Sequence, residues 1–177
     1  YIGKRFPRTD SVSKTNGSAI YTQDLKLPGM LTALVAHPPR FGAKVKSFDG
    51  TRAKAVSGVV AVVAIPSGVA VVAKDFWSAK KGRDALSVEW DETQAVKVGS
   101  AELIAQYRAL AQTAGAVARK DGDVAAALPK CSKRVEAEFE FPFLAHASME
   151  PLNCVVQISK AGCEIWNGEQ NQTGDQY

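Results

Sequence analysis

Apolar and polar positions alternate in several short runs, and these runs set the expected elements. Residues 43–49, AKVKSFD, have the period of a half-buried strand. VVAVVAI (59–65) and VAVVA (69–73) are valine-rich and separated by Pro66-Ser67-Gly68. β-Branched runs of that length suit strands. Met30–Ala36 follows a Pro28-Gly29 turn signal and is ended by Pro38-Pro39, which predicts a buried strand. SVEWD (87–91) alternates again, with Val88 and Trp90 on one side. The strictest alternation is KRVEAEFEF (133–141). It puts Val135, Ala137, Phe139 and Phe141 inward and Glu136, Glu138 and Glu140 on a solvated face. NCVVQISKAGCEIWNGEQ reads as a hairpin with Lys160-Ala161-Gly162 at its turn.

Helical spacing is rarer. Asp75 caps an expected helix over FWSAKKGRDAL, weakened by Gly82. Ser100 caps a second, where Leu103, Ile104, Tyr107, Leu110 and Ala111 recur at helical spacing until Gly115. TRAKAVSG (51–58) predicts one short turn stopped by Gly58, and DGDVAAAL (121–128) one or two turns stopped by Pro129. Residues 1–18 are polar and turn-rich, an expected extended lead-in with a turn at Asn16-Gly17. Strand, helix and strand within 59–91 make a mixed α/β unit, so the expected class is α+β.

Composition fits an ordinary globular protein, with 46% hydrophobic and 23% charged residues among 177. The longest apolar run, 59–73, is broken by Pro66 and Gly68 and falls short of the ~20 residues a bilayer span needs. The N-terminus has no initiator Met and no apolar leader, and the C-terminus stops without a clear ending, so an excised piece of a longer chain is expected. The net charge of +4 is uneven: residues 1–83 balance to +10 and residues 84–177 to −6. A stand-alone α+β module whose basic half engages an acidic partner is therefore the alternative reading. Nucleic acid is not expected, since no aromatic-rich basic platform accompanies the cations.

The usual chemical constellations are missing. There is no Walker loop, no GxGxxG after a strand and no GxSxG elbow. Cys131, Cys154 and Cys163 form no CxxC pair, although Cys154 and Cys163 flank the predicted hairpin turn. His37, in AHPPR, reads as a surface or capping histidine. The conspicuous stretch is PFLAHASMEP (142–151). His146 and Glu150 stand at the spacing of one helix face, on the apolar background of Phe143, Leu144, Ala145, Ala147 and Met149. They could be a catalytic pair, half a metal site or two satisfied core residues. Pro142 and Pro151 bracket them and disfavour a long helix, which weakens the shared face.

Two regions resemble a family. LPGMLTALVAHPPRFGAKVKSFD followed by VSGVVAVVAIPSGVAVVAKDFWSAKKGRDALSVEWD looks like the α/β hammerhead domain of the molybdenum hydroxylases, the xanthine dehydrogenase and aldehyde oxidase superfamily. PFLAHASMEPLNCVV with EIWNGEQNQ behind it resembles the start of the molybdopterin-binding region in the large (beta) subunit of isoquinoline 1-oxidoreductase and bacterial aldehyde dehydrogenases. The resemblance implies an α+β hammerhead domain over 1–130, with a mixed sheet, two or three helices and a helical connection, and the start of the molybdopterin-binding domain, with its first strands, over 131–177. It implies a parent oxidoreductase that hydroxylates N-heterocycles or aldehydes with oxygen from water, using a molybdenum–molybdopterin cytosine dinucleotide cofactor. An iron–sulfur small (alpha) subunit and the remaining molybdopterin-binding domains of the same chain are the implied partners. A bacterial enzyme is implied, periplasmic, membrane-associated or cytoplasmic. The family's GQG-type loop, GGFG-type loop and catalytic glutamate are absent, so no catalytic or metal-ligating residue is transferred. Of the family's Thr-Gln pair after the tryptophan strand only Gln170 matches, a candidate cofactor contact; the resemblance places PFLAHASMEP at the junction of the two domains, where His146 and Glu150 are expected to satisfy backbone groups or each other, the alternative being that they face the cofactor or substrate funnel. The chain alone is expected to be inactive, to bind no cofactor and to self-associate through apolar surface near 141–177.

Overall fold

A computed structural model describes residues 1–175. In chain order the elements are α1 (Ser11–Asn16), a 3-10 turn (Thr22–Asp24), β1 (Thr32–Ala36), β2 (Lys44–Asp49), α2 (Thr51–Lys54), β3 (Val59–Ile65) and β4 (Gly68–Ala73). There follow α3 (Phe76–Asp84), β5 (Ser87–Asp91), α4 (Ser100–Leu110), α5 (Val124–Ala127), a second 3-10 turn (Leu128–Lys130), β6 (Cys154–Ser159), β7 (Gly162–Asn167) and α6 (Gln172–Asp175). They fall into two compact units, one of residues 31–145 and one of residues 1–30 with 146–175.

The unit of residues 31–145 is built on a three-stranded sheet in the order β1-β4-β3. Its centre, β4, is buried almost throughout, which its uninterrupted GVAVVA run requires of a strand covered on both faces. Val69 and Val71 are its fully buried large side chains. Helix α3 starts where predicted: the Asp75 carboxylate accepts from the Ser78 N–H at 2.8 Å. Gly82 has a packing purpose that its low helix propensity hides. A Cβ there would lie 2.8 Å from Val71 Cγ1 and 2.9 Å from Val59 Cγ2, so the glycine lets α3 lie against the sheet. Strands β2 and β5 form a separate ladder, Lys44↔Asp91 to Asp49↔Ser87. The α+β class stands, but every strand pair is antiparallel among the described residues, so the mixed sheet expected from the sequence is instead three small antiparallel sheets.

The expected strand at 133–141 does not form. Alternation makes a chain ready to be a strand, but a strand exists only when its N–H and C=O groups find a partner edge. No strand pairs with it among the described residues, and Val135, Phe139 and Phe141 are exposed. Its outer glutamates are tethered instead: Arg108 on α4 donates from Nε to Glu138 at 2.9 Å and from Nη2 to Glu140 at 2.8 Å.

The unit of residues 1–30 and 146–175 holds the hairpin β6–β7, in register from Cys154↔Asn167 to Ser159↔Gly162, with Lys160 and Ala161 at the turn. The 3-10 turn packs against β6. The lead-in is not wholly extended, because α1 forms there and Gly17, at φ 79, ends it in the left-handed conformation. The Asn16-Gly17 signal was a helix stop rather than a free turn. Asp10 precedes α1 and is gripped by Lys14 at 2.7 Å and Arg8 at 3.0 Å. The Lys14 and then the Arg8 hydrogen bonds lower its carboxyl to about 2. The bonds should therefore persist at mildly acidic pH and be lost only as pH falls through about 2. Carboxyl NMR should find the midpoint there in the native chain and nearer the ordinary value of about 3.9 in Lys14→Ala.

Candidate functional site

The PFLAHASMEP stretch adopts no helix, so His146 and Glu150 do not share a helical face. Ala147 takes φ 46, a left-handed backbone that a non-glycine residue adopts only when its surroundings impose it. The two candidates then part company. Glu150 is half-buried and its Oε1 accepts from the Gln23 backbone N–H at 3.3 Å and from Asn153 Nδ2 at 3.2 Å. Asn153 Nδ2 also donates to the Pro151 carbonyl at 2.7 Å, and Ser148 Oγ donates to the Glu150 carbonyl at 2.8 Å. His146 is exposed and makes no side-chain hydrogen bond among the described residues.

Gln170 follows β7, with its backbone N–H donating to Glu169 Oε1 at 2.9 Å and its side chain exposed. Glu169 is the more structured neighbour. A hydrogen bond from Asp175 and the Asn171 N–H hold its carboxyl below the usual range, while the same contact raises Asp175. Sequence reasoning missed this pair of carboxyls, which only the short α6 brings together.

The remaining candidates resolve into structure. His37 Nδ1 lies 3.0 Å from the Ser67 carbonyl oxygen; since a carbonyl only accepts, Nδ1 carries the proton and the ring closes the β3–β4 turn. Cys154 pairs in register with Asn167 and Cys163 with Ile158, so the two thiols do not face each other, and all three cysteines are free. Part of the basic half is paired within the chain. Lys14 is paired with Asp10, Lys46 with Glu89, Lys80 with Asp84 and Arg40 with Glu92.

A molybdenum–pterin group needs an enclosing cavity with a few convergent polar groups. Two open depressions, of about 580 and 570 Å³, are lined by residues of β2, β3 and β5 and include none of His146, Glu150 and Gln170. Among the described residues no cluster of His, Cys, Asp and Glu is arranged to hold a metal ion. The residues of this chain do not by themselves fit the cofactor; the most they offer it is exposed edge contacts.

Curated relatives about 30% identical over most of this chain are oxidoreductases, two of them named as beta or B subunits. One relative is the isoquinoline 1-oxidoreductase subunit beta of Brevundimonas diminuta, 31% identical over 99% of this chain and 24% of its own length. Another, from Gluconacetobacter polyoxogenes, is named a membrane-bound aldehyde dehydrogenase (pyrroloquinoline-quinone) and is 32% identical over 93% of this chain and 22% of its own. Quinoline 2-oxidoreductase from Pseudomonas putida 86 shares the fold, with a TM-score of 0.63 over 95% of this chain and 27% of its own, at 21% identity. No family model matches the chain. The chain spans about a quarter of the length of these relatives. No helix is long and apolar enough to cross a membrane among the described residues.

Proposed function

We propose that this chain is the hammerhead region, and the entry to the cofactor region, of a molybdenum hydroxylase large subunit. The complete enzyme replaces a C–H bond of an N-heterocycle or aldehyde with C–OH, taking the oxygen from water and releasing an electron pair and protons. A molybdenum–molybdopterin cofactor, as its cytosine dinucleotide form, supplies the redox centre and is held mainly by the rest of the subunit. An iron–sulfur small subunit takes the electrons. The observation that carries this reading is the 31% identity to an isoquinoline 1-oxidoreductase subunit across 99% of the chain. The name of the Gluconacetobacter relative assigns a quinone cofactor, but its substrate class agrees with the aldehyde arm of the proposal.

Within this chain His146 and Gln170 are the side chains offered toward cofactor or substrate, since both are exposed. The chain alone should be inactive. Phe141, Phe143, Leu144, Met149, Leu152 and Ile158 are exposed, which supports self-association of the isolated chain. The proposal is tested by assaying the complete two-subunit enzyme for dye reduction with N-heterocycles and aldehydes in 18O-labelled water. Label entering the product of one class is the expected result; turnover without label would count against it. His146→Ala in that enzyme should lower turnover while cofactor content is kept.

A further inference from the structure

We infer that Glu150 is a positioning residue: it fixes the 146–151 loop by capping the 21–24 turn across more than a hundred residues of sequence. The first turn of any helix leaves N–H groups without acceptors. Here the Tyr21 N–H is taken locally by the Asp24 carboxylate at 2.9 Å, and the Gln23 N–H is taken by Glu150 Oε1 at 3.3 Å. A carboxylate is the favoured partner at that end of a turn. Thr22, between those donors, is the buried polar residue of the chain among those described. Both ends of Glu150 are engaged, for Asn153 holds its side chain and Ser148 its carbonyl. The loop being held contains Ala147 at φ 46, a conformation that its neighbours must over-determine.

Sequence spacing makes His146 and Glu150 look like partners in one task. The geometry divides the work: Glu150 holds the loop, and His146 is the member left free to face a ligand. The last clause rests on the proposed function; the capping does not.

Amide exchange on this chain tests the capping. Glu150→Ala should speed exchange at Gln23 about tenfold, while Glu150→Gln, whose amide oxygen still accepts, should stay close to the native rate. Val156 in β6 and Val71 in β4 serve as controls and should not change. An unchanged Gln23 rate in Glu150→Ala, or an equal acceleration at the controls, overturns the inference. In the complete enzyme Glu150→Gln should restore the turnover that Glu150→Ala loses. If Glu150→Gln is as inactive as Glu150→Ala with Gln23 still protected, the carboxylate acts chemically and the positioning role is wrong. If the exchange results hold and His146→Ala turns over normally, the capping stands and only the assignment of His146 fails.

Discussion

Gly68→Ala should destabilise the unit of residues 31–145 by roughly 3 kcal/mol or more. Gly68 is buried at the start of β4, with φ 152, where an L side chain is strained. A Cβ built there would stand 2.1 Å from the Ala36 carbonyl oxygen and 3.1 Å from Val35 Cγ1. The oxygen is backbone, and its strand cannot retreat cheaply, because Ala36 pairs with Val69 in the β1–β4 ladder. His37 adds a second constraint at the same corner through the Ser67 carbonyl. Urea unfolding of the variant should show a strongly lowered midpoint at an unchanged slope. A midpoint equal to that of the native chain would mean that the corner is built otherwise.

Val71→Ala should cost about 2–3 kcal/mol, from lost burial plus the cavity left behind. Val71 is fully buried on the central strand, between Leu34 of β1 and Val62 of β3 in register. Helix α3 comes so close that a methyl on Gly82 would fall 2.8 Å from Val71 Cγ1. The two positions should therefore be coupled. Gly82→Ala gains helix propensity but overpacks the native chain, so it should destabilise there. In the Val71→Ala background the same methyl enters vacated space and should be better tolerated, although Val59 Cγ2 at 2.9 Å limits the relief. Thermal unfolding of both single variants and the double variant reads the coupling; strict additivity would contradict the packing described.

Elements whose signal is local were legible in the sequence. The Asp75 cap, the valine strands and the hairpin each depend on residues a few positions apart, and each is found, with Gly162 opening β7 so that only Lys160 and Ala161 make the turn. For α4 the cap is displaced by one residue: the Gly99 N–H donates to Glu102 at 2.6 Å, and Ser100 is the first helical residue. Residues 133–141 show the limit. Their alternation is real, but pairing is a property of a second strand, and Arg108 supplies only an ionic tether. The division between His146 and Glu150 was illegible for a similar reason. Spacing places two residues on a face only if a helix forms, and the true acceptor–donor pair joins Glu150 to Gln23, far away in sequence. The role of Gly82 was hidden because propensity describes the helix and not the sheet beneath it.

The central claim, that the chain is part of a molybdenum hydroxylase large subunit, is tested most directly by metal analysis of the complete large subunit purified with its partner. The account predicts stoichiometric molybdenum with a pterin dinucleotide, and an iron–sulfur subunit in the same particle. A fully active enzyme free of molybdenum would contradict it.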